Sequence, residues 1–336
     1  MKIIKSDNGF PHAWKAGRVE HLIRSILEQH AQRQLSVKRV MIINPTWLHE
    51  NNITDEIRTA NPDFIICHNF VDPAVPKIFE AIKWSGVPYV IIGNSNQYRI
   101  DFWAMVCNLY FQDYTEEELQ LSPTARKFIC LNRKPHPHRV HLVNQLIAAG
   151  LKEQGYVSLG LPGDQALTVD TAFNNEQGIS DEYSHLGTEG TFVSGAIRND
   201  IFSLGDLEVW RDSFLCLVTE TEFNNANPDD FFISEKTWKP VIGMRPFFVY
   251  GQAPLRDYLK QQGFDIFEDI FDYTLADRYN SLDSYANIAI EAINRASVDD
   301  YAKYQARCKR NKYRFESYVY EQWNKLHRLN LLEYFG

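Results

Sequence analysis

Basic side chains crowd a short segment that follows an apolar run. Residues 127–132 have the composition of a buried strand, and the basic residues after them are Arg133, Lys134, His136, His138 and Arg139. Pro137 fits the first position of a helix, which would place Arg139 in its first turn. Cations at a helix N-terminus are unfavourable by about 0.3–1 kcal/mol each. A bound anion would offset this cost, so we expect an anion site at Asn132–Arg139. A solvated basic loop is the alternative.

A second group of chemically active residues follows the apolar run 214–219. Glu220 comes at its end, and Ser234, Glu235 and Lys236 follow further along the chain. Ser234 can cap a helix that starts at Glu235, and Pro240 predicts that this helix is short or kinked. A carboxylate next to an ammonium could bind a diol and a phosphate together. An ordinary capped surface helix with an exposed Glu/Lys pair is the alternative.

Taken with the apolar run Pro246–Gly251, these segments resemble the donor site of α1,3-fucosyltransferase-like glycosyltransferases. In that motif an acidic strand end precedes a Thr/Ser-Glu-Lys helix, and a Gly-x-Pro-hydrophobic-Gly strand follows. Related Ser-Glu-Lys proteins also occur widely in tailed-phage genomes. The resemblance covers residues 125–275, and the chain departs from it by a longer stretch between Glu220 and Glu235.

The resemblance implies a GT-B fold that binds a nucleotide sugar in its C-terminal lobe. By position, Asn132 and Arg133 belong to the junction of strand and helix, and Arg139 and Lys236 would hold the diphosphate. Glu235 would bind ribose or sugar hydroxyls, and Glu220 would line the sugar pocket. The activity implied is the transfer of a hexosyl or pentosyl group from a nucleotide sugar to a hydroxyl acceptor.

The catalytic base is not marked by any motif. An inverting transfer needs a carboxylate or an imidazole that deprotonates the acceptor hydroxyl. We expect this base at a strand end of the N-terminal lobe, because ligands of parallel sheets lie at the carboxyl ends of strands. Glu50, His68 and Asp72 are the candidates, and each could equally be structural or solvated.

No metal or other cofactor is expected beyond the nucleotide-sugar co-substrate. The chain lacks the Asp-x-Asp pattern of sites that bind a nucleotide sugar through Mn²⁺ or Mg²⁺, and its histidines form no HExxH pattern. Cationic side chains and a helix dipole can neutralise the departing diphosphate instead.

Several acceptors and functions stay open at this stage. The acceptor could be a glycan or a hydroxymethylated pyrimidine in phage DNA. The net charge of −8 disfavours nucleic-acid binding over the whole protein surface, but it allows a local stripe of basic residues. A non-enzymatic nucleotide-binding or structural protein is a second reading. A phosphorylase or an epimerase of the same shape is a third.

Alternating strands and helices must position these residues. Short apolar runs at 38–44, 63–69 and 87–93, separated by helical periodicity, predict βαβ units and a parallel sheet. A second alternation begins at residue 127. We therefore predict an α/β chain of two Rossmann-like lobes, with an acceptor-side lobe at 1–124, a nucleotide-sugar lobe at 125–298 and a helical tail at 299–336.

Composition supports a folded chain and bounds its surroundings. Aromatic residues make up 13% of the 336 residues, which excludes a disordered chain. The apolar runs are far shorter than the 18–20 residues or so of a membrane helix. The five cysteines form no CxxC pair, and most lie in apolar runs or helices, which predicts buried thiols. We expect a reducing cytoplasm, that of the host if the protein is viral.

Overall fold

The computed structural model describes residues 1–5, 15–44, 50–69, 76–93, 97–111, 113–132, 136–159, 203–223 and 231–335. The chain has the predicted α/β class, with two all-parallel sheets and a long helix near its end. None of the described helices is both long enough and apolar enough to cross a membrane.

The strands are short and alternate with helices. They are β1 (Lys2–Lys5), β2 (Arg39–Ile43), β3 (Phe64–Asn69), β4 (Tyr89–Gly93), β5 (Tyr98–Arg99), β6 (Arg126–Asn132), β7 (Gly155–Leu159), β8 (Ser213–Thr219) and β9 (Phe247–Tyr250). The α-helices are α1 (Lys15–Gln34), α2 (Glu50–Ala60), α3 (Pro76–Trp84), α4 (Phe102–Tyr110), α5 (Pro137–Ala148), α6 (Leu207–Arg211), α7 (Glu235–Ile242), α8 (Ala253–Gln261), α9 (Thr274–Tyr279), α10 (Leu282–Arg295) and α11 (Tyr301–His327).

The chain divides into two compact units. The first contains Met1–Asn108, Asp229–Phe232 and Tyr318–Gly336, and the second contains Leu109–Pro228 and Ile233–Ser317. The sequence argument placed the division at residue 124 and set residues 299–336 apart as a tail. In the structure the end of the chain divides between the units, because α11 buries Cys308 and Phe315 in the second and Tyr318 and Leu326 in the first.

The sheet of the first unit has the strand order β1-β2-β3-β4-β5. Apolar side chains on one of its faces pack against α2 and α3; they are Met41, Ile43, Ile65, Cys67 and Ile91 on the strands and Ile53, Ile57, Ile78 and Ile82 on the helices. Successive strand residues face opposite sides, so His68 lies on the other face. There it meets Glu20 of α1, and both side chains are buried.

The sheet of the second unit has the order β7-β6-β8-β9. From β6 the chain moves to β7 on one side, and it then returns to β8 on the other side of β6. The direction of winding therefore reverses between β6 and β8. Parallel sheets bind ligands in the crevice outside the carboxyl ends of the two strands at such a reversal. Asn132 ends β6 and Glu220 follows β8, so two of the predicted site residues lie at this edge.

Local sequence patterns predicted most of these elements. The runs at 38–44, 63–69, 87–93, 127–132, 155–159, 214–219 and 246–251 are strands, and Ser234 caps the short helix α7, which contains Pro240. All five cysteines are buried, as expected. The structure adds six elements that local patterns do not predict, namely β1, β5, α2, α6, α8 and α9. β1 is short and half-exposed, and α2 buries only Ile53 and Ile57 among its described side chains.

A buried arginine ties the second unit together near the start of β9. The Arg245 side chain is 1% exposed, and its Nε donates to the carbonyls of Trp210 at 3.0 Å and Ser213 at 2.7 Å. Its Nη2 reaches the carbonyl of Leu119 at 2.9 Å, and Nη1 reaches the hydroxyl of Tyr301 at 3.1 Å. One guanidinium thus donates hydrogen bonds to three main-chain carbonyls from different parts of the second unit.

Replacing this arginine should destabilise the fold. In Arg245→Met the carbonyls of Ser213 and Leu119 lose this donor while they stay buried, and the carbonyl of Trp210 keeps only the N–H of Asp212. We expect the free energy of unfolding to fall by about 3–5 kcal/mol, as when one partner of a buried charged group is removed. Urea denaturation followed by circular dichroism measures this. The control Arg310→Met, on the exposed face of α11, should stay within about 0.5 kcal/mol of wild type. A similar small loss in Arg245→Met would contradict this role.

Candidate functional site

The structure places the predicted site residues in three groups. Asn132, Arg139, Glu220, Glu235 and Lys236 all belong to the second unit and lie on or beside the carboxyl ends of β6 and β8. His68 belongs to the first unit. Glu50 is the first residue of α2, while Asp72 and Arg133 lie outside the described residues.

Asn132 joins the ends of three neighbouring strands. Its Nδ2 donates to the carbonyl of Ser158 on β7 at 2.9 Å, and its Oδ1 accepts from the Thr219 hydroxyl on β8 at 2.5 Å. The backbone N–H of Asn132 donates to the Ser158 hydroxyl at 3.0 Å. The side chain is fully buried. It therefore holds the ends of β6, β7 and β8 together and does not face solvent.

Two side chains in the first turn of α5, those of His138 and Arg139, are directed at the end of β8. Arg139 Nη2 donates to the Glu220 carbonyl at 3.0 Å and to the Thr219 carbonyl at 3.3 Å. His138 Nε2 lies 2.8 Å from the same Glu220 carbonyl, and since a carbonyl only accepts, this nitrogen carries the proton. The basic helix start therefore has a main-chain partner that the sequence argument did not consider.

His138 is a neutral member of this group. Burial lowers its pKa to about 4, which outweighs the opposing effect of the bond to Glu220. Stacked rings enclose the imidazole, with ring centroids 5.9 Å away at His136, 5.9 Å at Phe223 and 6.1 Å at Tyr250. At neutral pH the charge at the start of α5 that is directed at β8 is therefore that of Arg139.

Glu220 is enclosed by donors of its own chain. One oxygen, Oε1, accepts from the Ser234 N–H at 3.2 Å and from the Thr237 hydroxyl at 2.6 Å. The other, Oε2, accepts from the Ser234 hydroxyl at 2.6 Å and the Thr221 N–H at 3.2 Å. The side chain has no exposed surface. The resemblance assigns Glu220 to a sugar pocket, whereas this geometry makes it the anchor of the turn that starts α7.

Gly251 lets the end of β9 approach Glu220. A Cβ atom built on Gly251 would lie 3.1 Å from the Cβ of Glu220, which is closer than most real contacts of this kind. The Glu220 N–H also donates to the Tyr250 carbonyl at 3.1 Å. The last glycine of the Pro246–Gly251 segment is therefore explained by close backbone packing against Glu220.

Glu235 and Lys236 are the first two residues of α7. Lys236 Nζ lies 2.9 Å from the Ser234 hydroxyl oxygen, 3.4 Å from the Thr221 hydroxyl oxygen and 3.4 Å from Oε1 of Glu235. The side chain of Lys236 is 23% exposed and that of Glu235 is 10% exposed, whereas Arg139 is 2% exposed. Of these three side chains, that of Lys236 is the most exposed to solvent.

His68 has surroundings that differ from those of a solvent-facing base. It is fully buried, with Nδ1 3.8 Å from Oε1 of Glu20. Burial, reinforced by Arg24 and His21, lowers its pKa well below the usual range. Glu20 also accepts from Nδ2 of Asn44 at 2.8 Å. A general base must touch the acceptor hydroxyl, and the enclosed ring of His68 offers no surface for that contact.

Apart from the cap at Ser234, the hydroxyls of this region are not among the residues predicted from the sequence. Thr219 and Thr221 flank Glu220, and each reaches a predicted site residue, Asn132 in one case and Lys236 in the other. Ser234 and Thr237 are three residues apart, which puts both hydroxyls on one side of the helix start. The sequence signals were the Thr-Glu-Thr and Ser-x-x-Thr patterns. Both patterns are common in proteins, and uncharged hydroxyls do not by themselves indicate a binding site.

In comparisons with known proteins, no family model and no curated sequence matches the chain. Among the residues described above, no cluster of three or more His, Cys, Asp or Glu side chains is arranged to hold a metal ion.

The neutral state of His138 predicts a pH dependence of stability. The unfolded histidine has a pKa of 6.5 and the folded one about 4, so between these values unfolding takes up a proton. The stability that neutral His138 contributes is present above pH 6.5 and is lost as the pH falls towards 4. In His138→Gln, which keeps a donor but does not titrate, the loss of unfolding free energy between pH 7.5 and 5 should be about 2 kcal/mol smaller.

Urea denaturation at the two pH values measures this difference. The control is Arg310→Met, which replaces an exposed side chain of α11 that does not titrate in this range and should leave the pH dependence as it is in wild type. Equal pH dependence in wild type and His138→Gln would show that the imidazole is not held neutral.

Proposed function

We propose that the protein is a metal-independent glycosyltransferase whose second unit binds a nucleotide-sugar donor at the carboxyl ends of β6 and β8. The observation that carries the proposal is the partly exposed side chain of Lys236 beside Glu235, at a helix start next to the strand-order reversal. The two-lobed GT-B arrangement and the transfer to a hydroxyl acceptor, a glycan or a hydroxymethylated pyrimidine of DNA, are parts of the same proposal.

Electrostatics favour an anion at this point. The N-terminus of α7 carries positive dipole charge, and Lys236 adds a full positive charge in its first turn. Glu235, whose side chain is 10% exposed, offsets part of this charge at a distance of 3.4 Å between its Oε1 and the lysine Nζ. A diphosphate offers stronger, charge-assisted hydrogen bonds to the ammonium.

The adjacent carboxylate defines the rest of the ligand. Glu235 can only accept hydrogen bonds when it is ionised, so it repels a bare phosphate and attracts hydroxyl groups. A ligand with a diphosphate and neighbouring hydroxyls suits both side chains, and a nucleotide sugar has both. In the reaction the bond between the anomeric carbon and the diphosphate oxygen breaks while a bond to the acceptor oxygen forms, and the proton of the acceptor hydroxyl passes to the catalytic base. Lys236 would stabilise the negative charge that grows on the diphosphate.

Arg139 and Glu220 take a different part in this proposal from the one that the resemblance implies. Arg139 donates to a main-chain carbonyl at the end of β8, and Glu220 accepts from the Ser234 hydroxyl. In this proposal both residues support the structure of the site. For the base we retain Glu50 and Asp72 as candidates. We drop His68, because its ring is buried.

Removing the Lys236 charge should impair binding and turnover but not stability. Losing one charge-assisted hydrogen bond costs about 1.5–3 kcal/mol, so Lys236→Ala should bind UDP or GDP, whichever wild type prefers, at least tenfold more weakly. The value of kcat/KM for the nucleotide sugar should fall roughly 10²-fold, because a preorganised charge partner of the leaving group is gone. Titration calorimetry and initial rates measure these effects.

The matched control is Lys260→Ala, which removes another partly exposed lysine of the second unit, paired with Glu268 at 2.8 Å. It should bind and turn over as wild type does. If Lys236→Ala also behaves as wild type, the proposed donor site is wrong. Donor binding without transfer to any hydroxyl acceptor would instead favour a non-enzymatic nucleotide-binding protein.

Glu235 should set the preference between donors and bare anions. In Glu235→Ala the carboxylate that repels phosphate is gone, and so is the acceptor for hydroxyl groups. We expect the ratio of nucleotide-sugar affinity to pyrophosphate affinity to fall about tenfold, through the loss of one charged hydrogen bond and of one repulsion. Competition calorimetry with both probes measures the ratio. An unchanged ratio would exclude Glu235 from ligand recognition.

A further inference from the structure

The hydroxyl of Ser234 uses all of its hydrogen-bonding capacity. A serine hydroxyl has one proton and two lone pairs. The carboxylate of Glu220 only accepts, so the proton points to its Oε2 at 2.6 Å. The two lone pairs accept from the backbone N–H of Lys236 at 3.3 Å and from Nζ of Lys236 at 2.9 Å. The orientation of this buried hydroxyl is therefore fixed from three sides.

From this geometry, and resting on the function proposed above, we infer that Ser234 is a positioning residue through which Glu220 fixes the Lys236 ammonium for the donor diphosphate. The chain of contacts runs from the Glu220 carboxylate to the Ser234 hydroxyl and on to the Lys236 ammonium. A helix cap alone would need only the bond to the Lys236 N–H. The bonds to Glu220 and to Nζ go beyond that role.

The distances indicate what holds the ammonium in place. Its contact with Ser234 at 2.9 Å is shorter than those with Thr221 and Glu235, both at 3.4 Å. Without the serine hydroxyl, the ammonium would move towards the opposite charge of Glu235. The lysine side chain has four rotatable bonds, and fixing it before the ligand arrives lowers the entropic cost of binding. The short contact therefore keeps Lys236 available to an anion.

Thr237 provides a matched comparison within the same cluster. Its hydroxyl donates to the other oxygen of the Glu220 carboxylate at the same distance of 2.6 Å. No hydrogen bond found among the described residues links this hydroxyl to Lys236. Ser234→Ala and Thr237→Val therefore each remove one hydroxyl donor from Glu220, but only the serine variant also frees the ammonium.

The experiment measures thermal midpoint, UDP or GDP affinity by calorimetry, and kcat and KM for the nucleotide sugar in a set of variants. Ser234→Ala and Thr237→Val should both lower the thermal midpoint. Ser234→Ala should in addition weaken nucleotide binding about tenfold and lower kcat, while Thr237→Val keeps both within twofold of wild type. Ser234→Thr, which restores a hydroxyl, should recover most of the affinity and of kcat.

Two variants keep the outcome decisive. If Ser234→Ala does not fold, Ser234→Gly takes its place, because glycine caps a helix nearly as well as serine and has no hydroxyl. Equal affinity and kcat in the serine and Thr237→Val variants would overturn the inference alone, provided that Lys236→Ala loses binding. Wild-type binding in Lys236→Ala would overturn the proposed function, and the inference with it.

Discussion

A carboxylate that is withdrawn from water needs hydrogen-bond donors, and this constraint organises the second unit around Glu220. An uncompensated buried charge costs several kcal/mol, which is more than a domain of marginal stability can lose at one point. Four donors of the same chain form hydrogen bonds with the Glu220 carboxylate. Two side chains at the start of α5, those of His138 and Arg139, donate to the main-chain carbonyl of Glu220. The end of β8, the start of α5 and the start of α7 are held together by this one residue.

Three cationic side chains of the second unit, those of Arg245, Arg139 and Lys236, differ in their exposure to solvent. Arg245 and Arg139 are 1% and 2% exposed, and both donate to main-chain carbonyls. The planar guanidinium suits this work, because its five N–H groups reach several carbonyls at fixed angles. Lys236, at 23% side-chain exposure, keeps a compact ammonium near solvent. Charge alone therefore does not single out a candidate ligand-binding residue, whereas exposure to solvent distinguishes Lys236 from the two arginines.

The fold follows from local patterns where burial is complete and escapes them where it is partial. Residues 64–67 of β3 and 214–218 of β8 are continuous apolar runs, because a parallel strand is covered on both faces. β1 is a four-residue strand with exposed lysines at both ends, so no apolar run marks it. The division of the chain into units also escapes local patterns. It depends on which side chains of α11 find neighbours in each unit, and those neighbours are distant in sequence.

The sequence by itself determined which elements carry the candidate site. The strand ends at Asn132 and Thr219, the cap at Ser234 and the shortness of the helix that contains Pro240 all depend on neighbours within a few residues. The partners of the charged groups were decided by the tertiary structure. Arg139 meets carbonyls 80 and 81 residues away, and Glu220 meets hydroxyls 14 and 17 residues away. Those meetings require β6 to lie beside β8, and strand order is set by the packing of whole elements, which no local pattern encodes.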